Sequence, residues 1–342
     1  MDLFIGILLL VLGLVKSASV DTTPSPTPTP SSSPKPKLLI TSVVEPPFLD
    51  MEDDFWKKMG NDRYRGFIVD LLNEMTSRKE IDQPFEIVTS NDGKYGNKDN
   101  NGNWNGMIRM LIDEQVHVAA AAIVPTDDTK EVVDFGDFFI SGGLTAVMYR
   151  EENSQEPPFN KTLSDIANNP DITPGYVQWS PTQAFFKKKG NKDIEKIQSR
   201  IISKMGVPSP YVMTVKEGIE TVRRWQGKYV LFTDYNFGDY YAARQPCNLV
   251  LSGNLNSQGY ALAFQKGSSL VGKFNDALNA MRVDGKLQEI VDKWYKVPKD
   301  KACESYSFDT PARSLRVSGS FAILASVWTL IPTFVVFIFT IQ

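Results

Sequence analysis

The chain has 342 residues, 42% of them hydrophobic and 23% charged, which is enough apolar content for a sizeable core in one large or two medium domains. A formal net charge of −3 provides no basic face, so nucleic acid is not expected as a partner. With a single histidine and no metal motif, nucleophile elbow or phosphate loop, the sequence points to binding, not to an enzyme, and calls for no cofactor and no metal.

Residues 3–15, LFIGILLLVLGLV, form a short apolar run followed by Lys16 and the small residues Ser17, Ala18 and Ser19. This reads as a signal peptide over 1–19, too short to span a bilayer well, although its start carries Asp2 and no basic residue. Residues 20–37 follow as a Pro/Ser/Thr-rich stalk, DTTPSPTPTPSSSPKPK at its core, which favours polyproline II and O-glycosylation and cannot pack a core.

From residue 38 the pattern alternates. LLITSVV (38–44) reads as a strand, GFIVDLLNEM (66–75) as a helix, FEIVTS (85–90) as a strand, WNGMIRMLIDEQ (104–115) as a helix and VHVAAAAIV (116–124) as a buried strand. His117 lies inside that last strand pattern and reads as a structural residue. A second set comprises ITPGYVQ (172–178), a helix after Ser180, KYVLFTD (228–234), NLVLSG (248–253) and YALAF (260–264), closed by one or two amphipathic helices over 269–295. Such alternation implies parallel strands with crossover helices in two α/β lobes, with a ligand cleft between them.

Asn160-Lys161-Thr162 is an N-glycosylation sequon and fits an exposed position. Cys247 and Cys303 form an even pair; in an oxidising compartment they read as one disulfide closing a loop of about 55 residues, worth roughly 4 kcal/mol by chain entropy, with two buried free thiols as the alternative. Residues 306–320 read as a linker. The tail FAILASVWTLIPTFVVFIFTIQ (321–342) is long enough to span a bilayer, but Arg313 and Arg316 precede it and no basic residue follows. It is read as a GPI-anchor signal, with a retained single span as the alternative; either one tethers the folded part at the extracellular face of the plasma membrane.

Two helix starts suit anions. In QWSPTQAFF (178–186), Ser180 is a good N-cap, Pro181 suits the first helical position and Thr182 adds a hydroxyl. AAIVPTDDTKEVVDF (121–135) reads as a strand entering a helix at Pro125-Thr126, with an odd charge mixture of Asp127, Asp128 and Lys130.

Several stretches in order resemble the ligand-binding core of ionotropic glutamate receptors: VVEPPF, RYRGFIVDLLNEM (63–75), NDGKYGNKDNNGNWNGM (91–107), EVVDFGDFF (131–139), GKYVLFTDYN (227–236), GNLNSQGYALAFQKGSSL (253–270) and LQEIVDKWY (287–295). The resemblance covers about residues 38–305. It implies a two-lobed α/β clamshell of the periplasmic-binding type (type II) that closes on a small amino-acid-like ligand. Lobe 1 would be residues 38–147 plus 250–305, and lobe 2 residues 148–249. It also places Cys247 and Cys303 where that family has a disulfide.

Residue by residue, the resemblance makes Tyr95 the aromatic over the ligand, Asp234 the carboxylate for its ammonium, Tyr260 a second cleft aromatic, Glu45 a cleft-rim acid and Ser180–Thr182 the receiver of a distal acid group. Trp179 replaces a small polar residue. Thr129 stands where the family has the arginine that holds the ligand's α-carboxylate, Val124 where it has a threonine donor, and Ala122 where it has a proline carbonyl. A slip of one or two residues would bring Thr126 and Lys130 into those roles, although lysine lacks the planar fork. Between Val147–Arg150 and Leu163 there is no apolar stretch long enough for the family's pore helices. The expectation is therefore an extracellular, membrane-anchored binding protein for an amino acid or small amine, without a pore. The alternative is a degenerate clamshell that acts by protein contacts, with pore-bearing relatives or with a second copy.

Overall fold

The computed structural model describes residues 35–99, 101–150, 162–187, 190–252, 255–298 and 300–303. The residues read from sequence as a signal peptide (1–19), a stalk (up to residue 34), a glycosylation site (Asn160), a linker (306–320) and an apolar tail (321–342) lie outside them. Among the described residues no helix is long and apolar enough to cross a membrane.

Strand β1 (Leu38–Ser42) opens the fold, followed by the short pair β2 (Asp50–Met51) and β3 (Tyr64–Arg65), helix α1 (Phe67–Ser77), β4 (Phe85–Thr89), α2 (Gly106–Ile112), β5 (Val118–Ala119), α3 (Asp127–Val132) and the long β6 (Val133–Tyr149). Then come α4 (Leu163–Asn168), β7 (Thr173–Val177), α5 (Pro181–Phe186), α6 (Lys192–Ser203), β8 (Tyr211–Val212), α7 (Val215–Trp225), β9 (Tyr229–Asp234) and α8 (Tyr235–Ala242). Strands β10 (Leu249–Leu251) and β11 (Asn256–Gln265) and helices α9 (Leu270–Val283) and α10 (Lys286–Tyr295) complete the order.

The helices form for local reasons. In α1, Phe67, Ile68, Leu71, Leu72 and Met75 recur at helical spacing and are all buried. In α7, Val215, Ile219 and Val222 make the buried stripe, and Thr214 caps the start by accepting from Glu217 N.

The large sheet runs β4-β1-β5-β11-β6-β9-β7-β8, with β10 also beside β6. Strands β4, β1 and β5 are parallel, as are β9, β7 and β8, whereas β11 and β6 are antiparallel to their neighbours. The sheet thus has two parallel α/β halves joined through the long β6. Its first part pairs β11, from Val133↔Gln265 to Leu144↔Asn256; its second part pairs β9, from Leu144↔Asp234 to Val147↔Leu231. Leu144 is the residue of β6 paired with both, β11 on one edge and β9 on the other. This is the two-lobed α/β clamshell architecture expected from the sequence.

Separate cores support the halves. Met107, Ile108, Leu111, Val116 and Ile123 pack in the first, and Ile166, Ile172, Tyr176, Phe186, Ile197 and Phe232 in the second. A third cluster runs through both, with Phe48 at 5.7 Å from Phe67, 5.2 Å from Phe237 of α8 and 5.6 Å from Tyr260 of β11. Cys247 and Cys303 form a disulfide with Cα atoms 5.3 Å apart, tying the chain after α8 to the stretch after α10.

Two elements differ from the sequence expectation. The run VHVAAAAIV keeps only Val118–Ala119 in the ladder. Beyond it Ile123 N donates to Ala121 O at 2.7 Å, a three-residue turn centred on Ala122 that breaks strand geometry. Conversely, EVVDFGDFF leads into a 17-residue strand that runs on through the buried Gly142 and Gly143, both paired with β11. His117 is structural: its Nδ1 accepts from Leu39 N at 2.9 Å.

Candidate functional site

A pocket opens beside the stretch of β6 that pairs with both β11 and β9. It is lined from the first half by Glu45, Tyr95, Ala122, Gln258 and Tyr260, and from the second by Val177, Ser180, Pro181, Thr182, Val215, Thr233, Asp234 and Phe237.

Asp234 ends the fully buried strand β9 and caps α8, so its carboxylate is fixed by backbone. One oxygen accepts from Asn236 N at 2.8 Å, and the other from Gly143 N at 2.9 Å and Gln258 Nε2 at 3.3 Å. Burial raises its pKa to about 6, and these donors, with the nearby Tyr260 hydroxyl, work against that rise. Tyr260 Oη itself makes no hydrogen bond of normal geometry, so its effect on Asp234 is one of proximity. Gly142 makes this approach possible: a Cβ there would sit 2.5 Å from Tyr260 Oη and 2.9 Å from Asp234 Oδ2.

Glu45 is 7% exposed and reaches from the first half to the start of α7, where its two oxygens accept from Val215 N at 3.3 and 3.4 Å. Burial pushes its carboxyl up to about 8, against the opposing effect of that N–H. Burial also raises the Tyr95 phenol, with Glu45 and then Asp234 adding to the rise, which places both carboxylates near its ring.

The loop that carries Tyr95 is built by its own polar residues. Asp92 accepts from Lys94 N and Gly106 N, and Lys94 O accepts from Met107 N. Gly106 has φ +62° and a Cβ there would meet Lys94 O at 2.3 Å, so only glycine closes the loop.

This loop also grips the second half. Asn97 Nδ2 donates to Trp179 O at 2.7 Å, and Lys94 Nζ lies 4.6 Å from the Trp179 ring centroid. Trp179 adopts φ +64°, with its N–H donating to Gln183 Oε1 at 2.6 Å. Ser180 is spent on its own helix: its hydroxyl accepts from Gln183 N and donates to Val177 O. Thr182 is buried and lines the cavity.

Six of the residues singled out from sequence, Glu45, Tyr95, Ser180, Thr182, Asp234 and Tyr260, therefore converge on one cavity. Thr126, Thr129 and Lys130 do not line it. Thr126 and Thr129 form a reciprocal capping box at the start of α3: Thr129 N donates to Thr126 Oγ1 at 3.2 Å and Thr126 N to Thr129 Oγ1 at 2.9 Å. Lys130, Asp127 and Asp128 are exposed, and Ala122 is what this stretch turns toward the cavity.

Sequence reasoning missed Gln258, Phe237, Val215 and Asn97. For Gln258 a signal existed, because it lies two positions before Tyr260 on a strand and so shares its face. Val215 and Asn97 act across separations of 170 and 82 residues, which no local pattern announces.

Residues 36–153 match the family described as "Ligated ion channel L-glutamate- and glycine-binding site". Glutamate receptor 3 of Rattus norvegicus is 24% identical over 379 residues, covering 75% of this chain and 42% of that receptor. The Mus musculus receptor of the same name is 24% identical over 411 residues, covering 84% and 46%. The chain thus spans less than half the length of these receptors. The solved structure titled "Drosophila muscle GluRIIB complex with glutamate" superposes with a TM-score of 0.69 at 21% identity, covering 77% of this chain and 100% of that one. In sequence and in fold, the body of this chain resembles the ligand-binding core of the ionotropic glutamate receptors.

Proposed function

We propose that this chain is a binding protein of the glutamate-receptor type, tethered at the extracellular face of a membrane, whose two lobes close on a small amine-bearing ligand such as an amino acid or a related amine. The observation that carries this reading is the convergence of Asp234, Tyr95, Tyr260 and Thr182 from both halves on one cavity beside the stretch of β6 that pairs with both β11 and β9. Asp234 takes the ammonium, Tyr95 and Tyr260 supply aromatic walls, and the Glu45–Val215 and Asn97–Trp179 bonds hold the lobes together around the ligand. The apolar run 321–342 supplies the tether, as a lipid-anchor signal or a retained span.

A receptor without its own pore is supported by the alignments. The rat receptor is matched over 379 residues, more than the 342 of this chain, while only 75% of the chain is engaged, so the receptor carries sequence within the match that has no counterpart here.

A second reading, an interaction module with no small ligand, has one observation in its favour: Asp234 is already supplied with protein donors. Thermal unfolding of the full chain in detergent against amino acids, amines and small acids separates the two. A ligand well above its Kd raises the melting temperature; no shift with any compound refutes small-molecule binding and leaves the interaction module.

A further inference from the structure

We infer that the cavity selects a small organic amine that carries no carboxylate, so that a decarboxylated amine binds in preference to the amino acid from which it derives. The inference rests on the binding reading above and names the ligand class of that same site.

Among the described residues lining the cavity, the acidic groups are Glu45 and Asp234, 7% and 8% exposed, and there is no lysine, arginine or histidine. The remaining lining is aromatic (Tyr95, Phe237, Tyr260), aliphatic (Ala122, Val177, Val215, Pro181) or neutral polar (Ser180, Thr182, Thr233, Gln258). An α-carboxylate brought into this space would be a further negative group in a low-dielectric interior, facing no cation, and such like-charge juxtapositions are strongly unfavourable.

The local donors supply no positive charge: the Tyr260 and Thr182 hydroxyls are neutral, and most of the others are engaged. Ser180's hydroxyl is directed to Val177 O, the Gly143 and Asn236 N–H groups are spent on Asp234, and the Val215 N–H is spent on Glu45. Thr126 and Thr129 bond each other away from the cavity, and the aliphatic Ala122 takes the place facing the ligand. An ammonium, by contrast, meets a fixed carboxylate at Asp234 and aromatic faces beside it, both of which attract cations. A second ammonium at the other end would meet Glu45.

The test uses matched pairs differing by one carboxylate, with isothermal titration calorimetry on the full chain in detergent micelles at neutral pH. The pairs are butane-1,4-diamine with ornithine, pentane-1,5-diamine with lysine, and 2-phenylethylamine with phenylalanine. The expected result is that at least one amine binds tighter than its amino acid by on the order of tenfold or more. Binding by at least one amino acid with no pair in which the amine is the tighter ligand overturns this inference and leaves small-molecule binding standing. Silence from every member of every pair, together with no thermal shift from any compound in the wider panel, removes both.

Discussion

Glu45 gives this protein an unusual response to pH. Its carboxyl is buried, spans from the first half of the fold to the start of α7, and is raised from an ordinary 4.5 to about 8. The unfolded chain gives up this proton near 4.5 while the folded chain keeps it to about 8. Between those values the native state binds more protons, so stability falls as pH rises. At about 1.4 kcal/mol per pKa unit the effect integrates to roughly 5 kcal/mol over the window. Asp234, raised from 3.8 to about 6, has the same sign, and its contribution tails off within about one pH unit above that value. Above pH 6.5 the slope therefore belongs mainly to Glu45, and from pH 6.5 to 8 stability drops by roughly 2 kcal/mol. Urea midpoints of the full chain in this interval, at constant ionic strength, measure it. Glu45→Gln keeps an oxygen for Val215 N and carries no proton to lose, so its profile is nearly flat and it is the more stable protein at pH 8. Wild-type stability that stays level or rises from pH 6.5 to 8, or a slope unchanged in Glu45→Gln, refutes the reasoning.

Gly142→Ala drives a methyl group against Tyr260 Oη and Asp234 Oδ2, so ligand-induced thermal stabilisation is lost while circular dichroism stays native. Thr126→Val removes the cap of α3, costing about 1 kcal/mol in chemical unfolding but leaving ligand affinity unchanged; a large loss of affinity would return this stretch to the ligand site. Phe48→Ala opens the aromatic junction between the halves and costs about 3–5 kcal/mol in the same assay. Cys247→Ser lowers stability by about 4 kcal/mol, an effect reproduced in wild type by reductant.

Much of this was legible because the informative signals are local. The apolar run KYVLFTD ends on an acid followed by a helix start, and that placement makes Asp234 both a strand terminus and a cap. DGKYG carries the turn residues that expose Tyr95, and WSPT carries a good N-cap signature. The turn at Ala122 was not legible: a run of alanines has no β-branched residue to hold a strand and no glycine or proline to announce the break. The role of Thr126 and Thr129 had a signal that pointed elsewhere. Two hydroxyls three residues apart at a helix start satisfy each other's backbone, and neither lines the cavity.

The chemistry of the cavity conflicts with the demands of stability, and the conflict itself is informative. Two carboxyl groups are taken out of water with no lysine, arginine or histidine among the described lining residues to balance them, an arrangement that costs free energy wherever it occurs. Backbone donors at Gly143, Asn236 and Val215 compensate in part, yet burial still outweighs them and leaves both groups with raised pKa values. A fold selected for stability alone would place amide side chains at 45 and 234, since their oxygens accept the same N–H bonds without the desolvation of a charge. Retaining acids there makes sense when a cation completes the site, because an ammonium favours the ionised form of both carboxyls, which burial alone opposes. A bound amine should accordingly lower the Glu45 and Asp234 pKa values together and flatten the fall in stability from pH 6.5 to 8, whereas a ligand held through the aromatic walls alone would shift the whole curve and leave its slope intact.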